Sequence, residues 1–190
     1  IIWAPHHLMK EGLRTSNFLD YYQIMLDIAR DYSGKIQIAF KPHPMLKPKL
    51  YQYPEWGKEK ADKYFSEWEN LANGQLEEGD YIDLFLTSDA LILDCGSFIT
   101  EYLFTGKPSV FMISNVEVMK GWNEYGEKAL NVLYHSRKID DIKFFIGEVV
   151  LKGKDTMKEQ RMAFLNDILM PPGGRTASEN IFEEILREIK

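Results

Sequence analysis

Three observations in this 190-residue chain predict an α/β fold, Rossmann-like and three layers deep (α/β/α), around a parallel sheet. The strand candidates are continuous apolar runs, the pattern of strands buried on both faces. They alternate with amphipathic segments of helical period. The most distinctive motifs each follow directly on a strand, where a parallel arrangement gathers them on one rim, the rim at which such sheets bind ligands.

Residues 1–4 (IIWA) read as a short buried strand. Ser16 or Asn17 can cap the next helix, in which Phe18, Tyr21, Tyr22, Met25, Leu26 and Ile28 recur at helical spacing until Ser33-Gly34. Residues 35–41 (KIQIAFK) form a second strand, stopped by Pro42. A proline-rich connection through Pro44, Pro48 and Pro54 leads to a helix carrying Trp56, Tyr64, Phe65 and Trp68 and ending near Asn73-Gly74. Asp80 begins a short helix (YIDLFLTS) that feeds the strand 90–93. A tight turn at Gly96 opens a helix at Ser97, Gly106 ends it, and 108–113 is the next strand. Residues 115–127 look irregular or briefly helical, and 130–134 reads as a last strand. Helices are expected over 138–151, 155–169 and 176–189, with Pro171-Pro172-Gly173-Gly174 before a C-terminal helix assigned within 175–190. No repeat or low-complexity linker interrupts this order, so 1–190 is expected to be one domain. A strand that begins without an initiator Met suggests a piece of a longer protein.

Composition limits the function classes. Hydrophobic residues make up 45% and charged ones 27%, as in ordinary globular domains. The formal charge of -6 supplies no general attraction to nucleic acid, which needs an excess of Lys and Arg. One stretch, 41–63, runs the other way, with six lysines against Glu55, Glu59 and Asp62; it is a solvated helix face or a surface for an anionic partner. One cysteine excludes an internal disulfide framework and a cysteine-based zinc site, and fits a reducing compartment. No apolar run reaches the roughly 20 residues of a membrane span, and no basic, signal-like segment opens the chain.

His43 stands between Pro42 and Pro44, which fix the backbone on either side. Held so, it can donate to a phosphate oxygen with little ordering cost; the alternative is a capping histidine at a strand end. Lys41 either assists or lies on the surface. His6 and His7 follow Pro5 after the first strand and suit phosphate contact or proton transfer near neutrality. Neighbours on an extended segment point to opposite sides, so one of the two, His7 in preference, is expected to face the site. A metal is the rival reading of these histidines, but supporting ligands at zinc spacing are not found, and no Asp-x-Asp pair offers to hold a divalent ion on a diphosphate. Asp94-Cys95-Gly96-Ser97 turns from strand into helix. Its free N–H groups, the Ser97 hydroxyl and the helix dipole suit a phosphate, while a plain N-cap worth about 1 kcal/mol accounts for Ser97 equally. Glu101, one turn on, can accept the hydroxyls of a ribose or simply answer the dipole. Arg175, Ser178 and His135 are outlying candidates for the same rim. The Trp and Tyr content reads as packing, not as a nucleobase stack.

WAPHH (3–7), FKPHP (40–44), DYIDLFLTSDALILDCGSFITEYLFTGKPSVF (80–111) and GGRTASENI (173–181), in this order, resemble the CDP-glycerol glycerophosphotransferase family of teichoic-acid-type polymerases. The resemblance implies one half of a GT-B architecture, the C-terminal half that binds the activated donor, with the acceptor held mainly by an N-terminal half. It implies transfer of a glycerophosphate or glycosyl group from a CDP- or other nucleotide-activated donor, CDP- or CMP-linked first, with no separate cofactor; the missing Asp-x-Asp pair makes metal-independent transfer the expectation, and the net charge leaves no nucleic acid as partner. It also implies a cytoplasmic protein of bacterial cell-envelope synthesis, peripheral to the inner face of the membrane. His43 and His7 would act on the reacting phosphate. His6, Lys41, Pro44, Asp94, Gly96, Ser97, Phe98 and Glu101 would hold the donor. The Gly-Ser-x-x-x-Glu pattern is similar to nucleotide-sugar 2-epimerases as well, and the His-Pro and Ser pair to transferases using CMP-sialic acid. A non-catalytic nucleotide-binding module is the alternative of another class.

Overall fold

The computed structural model describes residues 1–9 and 15–189. Its strands are β1 (Ile2–Ala4), β2 (Ile38–Phe40), β3 (Gly74–Leu76), β4 (Leu91–Leu93), β5 (Ser109–Met112) and β6 (Tyr134–Ser136). They form a parallel six-stranded sheet in the order β3-β2-β1-β4-β5-β6. Helices α1 (Phe18–Asp31), α2 (Leu46–Tyr51), α3 (Gly57–Asn70), α4 (Ile82–Thr87), α5 (Gly96–Leu103), α6 (Glu124–Leu130), α7 (Ile139–Phe144), α8 (Lys158–Phe164) and α9 (Ala177–Glu188) complete it. The result is the expected three-layer α/β arrangement of generic Rossmann-like type.

Both faces of the sheet are covered. Trp3, Ile38, Phe40, Ile92, Val110 and Met112 pack against α1, α3 and the α7 region; Ile2, Ala4, Leu91, Leu93 and Phe111 pack against α4, α5, α6 and α8. Successive strand residues alternate between the two cores, so each strand is apolar throughout. Aromatic rings dominate the first core. Trp3 stacks on Phe40 at 5.0 Å between ring centres, and Phe40 stacks on Trp68 at 5.3 Å. Trp3, Trp56 and Trp68 are therefore packing residues.

Several elements depart from expectation. β3 is absent from the sequence reading, because Gly74-Gln75-Leu76 offers a single apolar residue and pairs only along the sheet edge. α2 forms inside the proline-rich connection: Pro48 is its third residue, where an N–H would lack an intrahelical partner anyway. The last strand is Tyr134–Ser136, not 130–134, since Leu130 closes α6 and Val132 and Leu133 are buried in the turn after it. α7 and α8 continue as wider π-helical turns over Phe145–Val150 and Leu165–Leu169. α9 starts at Ala177 with a Thr176–Glu179 capping box and buries none of its residues; Lys190, at the end of its expected range, lies outside the described residues. Among the described residues no helix is long and apolar enough to cross a membrane.

Arg161 locks α8 to the sheet. The side chain is buried, donates through Nε to Gly106 O at 2.9 Å, and pairs with Asp155, whose Oδ1 also accepts from the Tyr134 hydroxyl at 3.1 Å. Truncation would leave Asp155 and the Gly106 carbonyl without their partner. Arg161→Ala is expected to cost about 3 kcal/mol or more in denaturant unfolding, whereas substitution of the exposed Lys128, which pairs with Glu124, costs less than about 1 kcal/mol.

Candidate functional site

Strand order reverses between β1, which leads outward to β2, and β4, which leads the other way. At such a switch point the loops leaving the carboxyl ends of the strands part and leave a crevice. Here those loops carry Pro5-His6-His7 after β1 and Asp94-Cys95-Gly96-Ser97 after β4, with Lys41-Pro42-His43-Pro44 beside them after β2.

Backbone hydrogen bonds tie the three loops together. Asp94 is buried and accepts from His6 N–H at 2.5 Å through one oxygen, and from Asn17 N–H at 2.6 Å and Asn17 Nδ2 at 3.3 Å through the other. The Asn17 amide also donates to Met112 O at 2.9 Å. His43 N–H donates to Pro5 O at 3.1 Å. Asp94, expected to hold the donor, instead has both oxygens turned inward on the protein, and burial pushes its carboxyl up to about 6 against the pull of these hydrogen bonds. Asn17 heads α1 without a side-chain cap bond, because its amide is committed to Asp94 and Met112; Ser16 Oγ accepts from Phe18 N–H instead.

A cleft of about 240 Å³ opens above the loops. It is lined by Lys41, His43, Pro44, Ser97, Phe98 and Glu101, together with Pro5, Cys95, Gly79 and Tyr81. Most of the residues singled out in the sequence thus share one wall. α5 starts at Gly96 with Cys95 as its N-cap residue, so Ser97 lies inside the first turn and is not the cap. The Cys95 thiol meets the Phe98 N–H and the Ser97 hydroxyl, whereas among the described residues the N–H groups of Gly96 and Ser97 find no protein acceptor. Gly96 has no left-handed φ, and a Cβ there would make only ordinary contact with the Trp122 ring at 3.4 Å, so the turn does not require glycine. Lys41 is buried and donates to Gly79 O at 2.6 Å, pinning the loop after β3 to the cleft. Desolvation lowers its pKa, opposed by Glu77, Glu78 and Asp80. That β3 loop brings in a residue the sequence reading missed. Tyr81 donates to Glu101 Oε2 at 2.5 Å and packs on Phe98 at 4.8 Å between ring centres. Its signal was an aromatic opening α4, unreadable as a site feature while β3 was unrecognised.

The imidazoles of His6, His7 and His43 form one cluster beside the cleft. Ring centres lie 4.2 Å apart for His6–His7, 4.0 Å for His7–His43 and 5.0 Å for His6–His43. Both histidines after β1 therefore face the same way, contrary to the alternation expected: the strand stops at Ala4 and the chain bends at His7, so strand geometry no longer applies. One ring nitrogen of each lies within 4.8 Å of the others, a grouping that sequence spacing did not disclose. Burial, then neighbouring imidazoles and Lys49, hold His6 and His7 at a pKa of about 4; burial and Lys49 also lower that of His43. Each of these shifts favours the uncharged ring.

The outlying candidates lie elsewhere. His135 is exposed on β6 with a ring nitrogen 3.1 Å from Leu130 O, Arg175 pairs with Glu183, and Ser178 contacts Thr176. A larger cavity of about 480 Å³ opens at the opposite end of the strands, lined by Ile1, Gln37, Gln75 and Asp89 among others. It lies away from the rim where parallel sheets bind ligands. Compared with known proteins, the chain matches no family model and no curated sequence.

The titrations of this cluster have opposite signs. With folded pKa values of about 4 against 6.5 unfolded, His6 and His7 contribute stability that is present above about 6.5 and lost as pH falls towards 4. Asp94, raised to about 6 from 3.8, contributes stability that is present below 3.8 and lost as pH rises to about 6. Denaturant unfolding followed across this range is expected to show a shallower loss of stability towards acid in His7→Ala and a steeper one in Asp94→Asn. Asp94→Asn also costs about 2 kcal/mol at neutral pH, because an amide turns its NH2 on a buried N–H that now lacks an acceptor.

Proposed function

We propose that this chain binds a nucleotide-activated donor, as the donor half of a GT-B transferase does, for passage of a glycerophosphate or glycosyl group to an acceptor hydroxyl. The reading is carried by one observation: His43, Ser97, Glu101 and the uncapped start of α5 share a single cleft at the switch point of a parallel sheet. Each group has a role its chemistry fits. The first-turn N–H groups and the Ser97 hydroxyl donate to the oxygens of a phosphate. Glu101, oriented by Tyr81, accepts the hydroxyls of a ribose. His43 donates to the phosphate oxygen that gains charge as the bond to the transferred group breaks and the acceptor oxygen takes its place. A CDP- or CMP-linked donor is favoured by the sequence resemblance, and envelope polymer synthesis at the inner face of a bacterial membrane is the setting that resemblance implies.

The neighbouring space also suits a nucleotide. Tyr81 and Glu101 form a wall shared with an apolar groove of about 310 Å³ that runs past Ile82, Leu86 and Phe104. Cleft and groove together have the size of a small-molecule site. Titration calorimetry with CMP, CDP, UMP and UDP tests the reading. Ser97→Ala and Glu101→Gln are each expected to weaken binding about tenfold, the effect of one hydrogen bond to a charged group, with unfolding nearly unchanged. Unaltered affinity in both variants, or no binding by the native chain, would remove the proposal.

A further inference from the structure

Groove, cleft and imidazole cluster make one continuous track. Groove and cleft share Tyr81 and Glu101; cleft and cluster share His43. A nucleotide with its ribose at Glu101 and a phosphate at the start of α5 lies in the cleft that His43 lines, and His43 joins that cleft to the other two imidazoles.

The hydrogen bonds around the rings decide what the cluster can offer. Met45 N–H donates to His43 Nδ1 at 3.0 Å, and Leu8 N–H donates to His6 Nδ1 at 3.3 Å with the Thr15 hydroxyl 2.9 Å from the same atom. A nitrogen that accepts from a backbone N–H carries its lone pair there, so in the neutral ring the proton sits on Nε2. Among the described residues His7 Nδ1 is buried without a partner, and an orphaned acceptor is tolerated better than an orphaned N–H, which puts the proton on Nε2 again. Such rings present N–H donors where a metal would need lone pairs. Lys49 reinforces the preference. Its charge reaches all three imidazoles, and although Lys47 and Lys58 pair with Asp62, among the described residues no carboxylate pairs with Lys49. A neighbouring cation repels a metal ion and attracts an oxyanion.

Building on the nucleotide reading above, we infer that His6, His7 and His43 receive the distal phosphate of a nucleoside diphosphate as neutral N–H donors, with Lys49 supplying the positive charge. The ligand class is thereby a diphosphate-linked donor in preference to a monophosphate-linked one. His6 and His7 become specificity-determining residues.

Calorimetry with CDP and CMP, and with UDP and UMP, on the native chain and His7→Ala separates the possibilities. The native chain is expected to bind the diphosphate more tightly, and His7→Ala to lose roughly tenfold or more for the diphosphate but less than about threefold for the monophosphate. Equal losses for both, or none, would overturn the inference while leaving nucleotide binding in place; absence of any nucleotide binding would take both readings down. Two measurements on the native chain avoid dependence on how the variant folds. Long-range proton–nitrogen NMR of the imidazoles should show the Nε2–H tautomer in His6 and His43, and CDP should shift the His7 ring resonances where CMP does not. A stoichiometric zinc site with His43 protonated at Nδ1 would refute it.

Discussion

A single buried carboxylate, that of Asp94, sets the geometry on which the whole rim depends. Its oxygens gather the first loop through His6 N–H and the start of α1 through Asn17, whose amide reaches on to the end of β5. Burying a charge is costly unless donors converge on it, and here backbone and amide N–H groups do. With the Pro5–His43 backbone bond added, the loops after β1, β2 and β4 become one unit. The positions of the three imidazoles therefore follow from main-chain anchors. Substituting a ring leaves its anchor in place, so the chemistry of the cluster can be altered without dismantling the rim.

A net charge of -6 does not by itself exclude an anion from this rim, because the local field decides. Exposed charges more than about 8–10 Å away are screened at physiological salt, whereas the partial positive charge of a helix start and the N–H groups of a cleft act at contact distance. Acidic residues are present at the rim, but Glu77, Glu78 and Asp80 cluster around the ammonium of Lys41, which is spent on Gly79 O. Lys49 stands apart from them, by the imidazoles. Neutral donors would have a further consequence: a phosphate held by them would escape the desolvation cost of a buried cation.

The division of labour along the track follows from which elements can be rigid. Base and ribose would meet the packed aromatic corner of Tyr81, Phe85 and Phe98, whose rings lie 4.8–5.0 Å apart. Phosphates would meet a helix start and rings fastened to the backbone. Both are preorganised, which is what stabilisation of developing charge requires.

The amino-acid sequence by itself determined the parallel sheet, its coverage on both faces, and which strand ends line the crevice. Those properties are periodic and local: apolar runs of strand length and amphipathic runs of helix length report burial residue by residue. His43, Lys41, Ser97, Phe98 and Glu101 were legible for the same reason, each lying within a few residues of a readable strand or helix. Tertiary structure decided the rest. The direction of His6 and His7, the withdrawal of Asp94 from the cleft and the arrival of Tyr81 on a loop after an unsuspected edge strand all depend on partners far away in the chain, 88 residues for His6 and 77 for Asn17. Beyond a strand's end no period remains to be read, and the path of the chain is set by whichever distant group satisfies its hydrogen bonds.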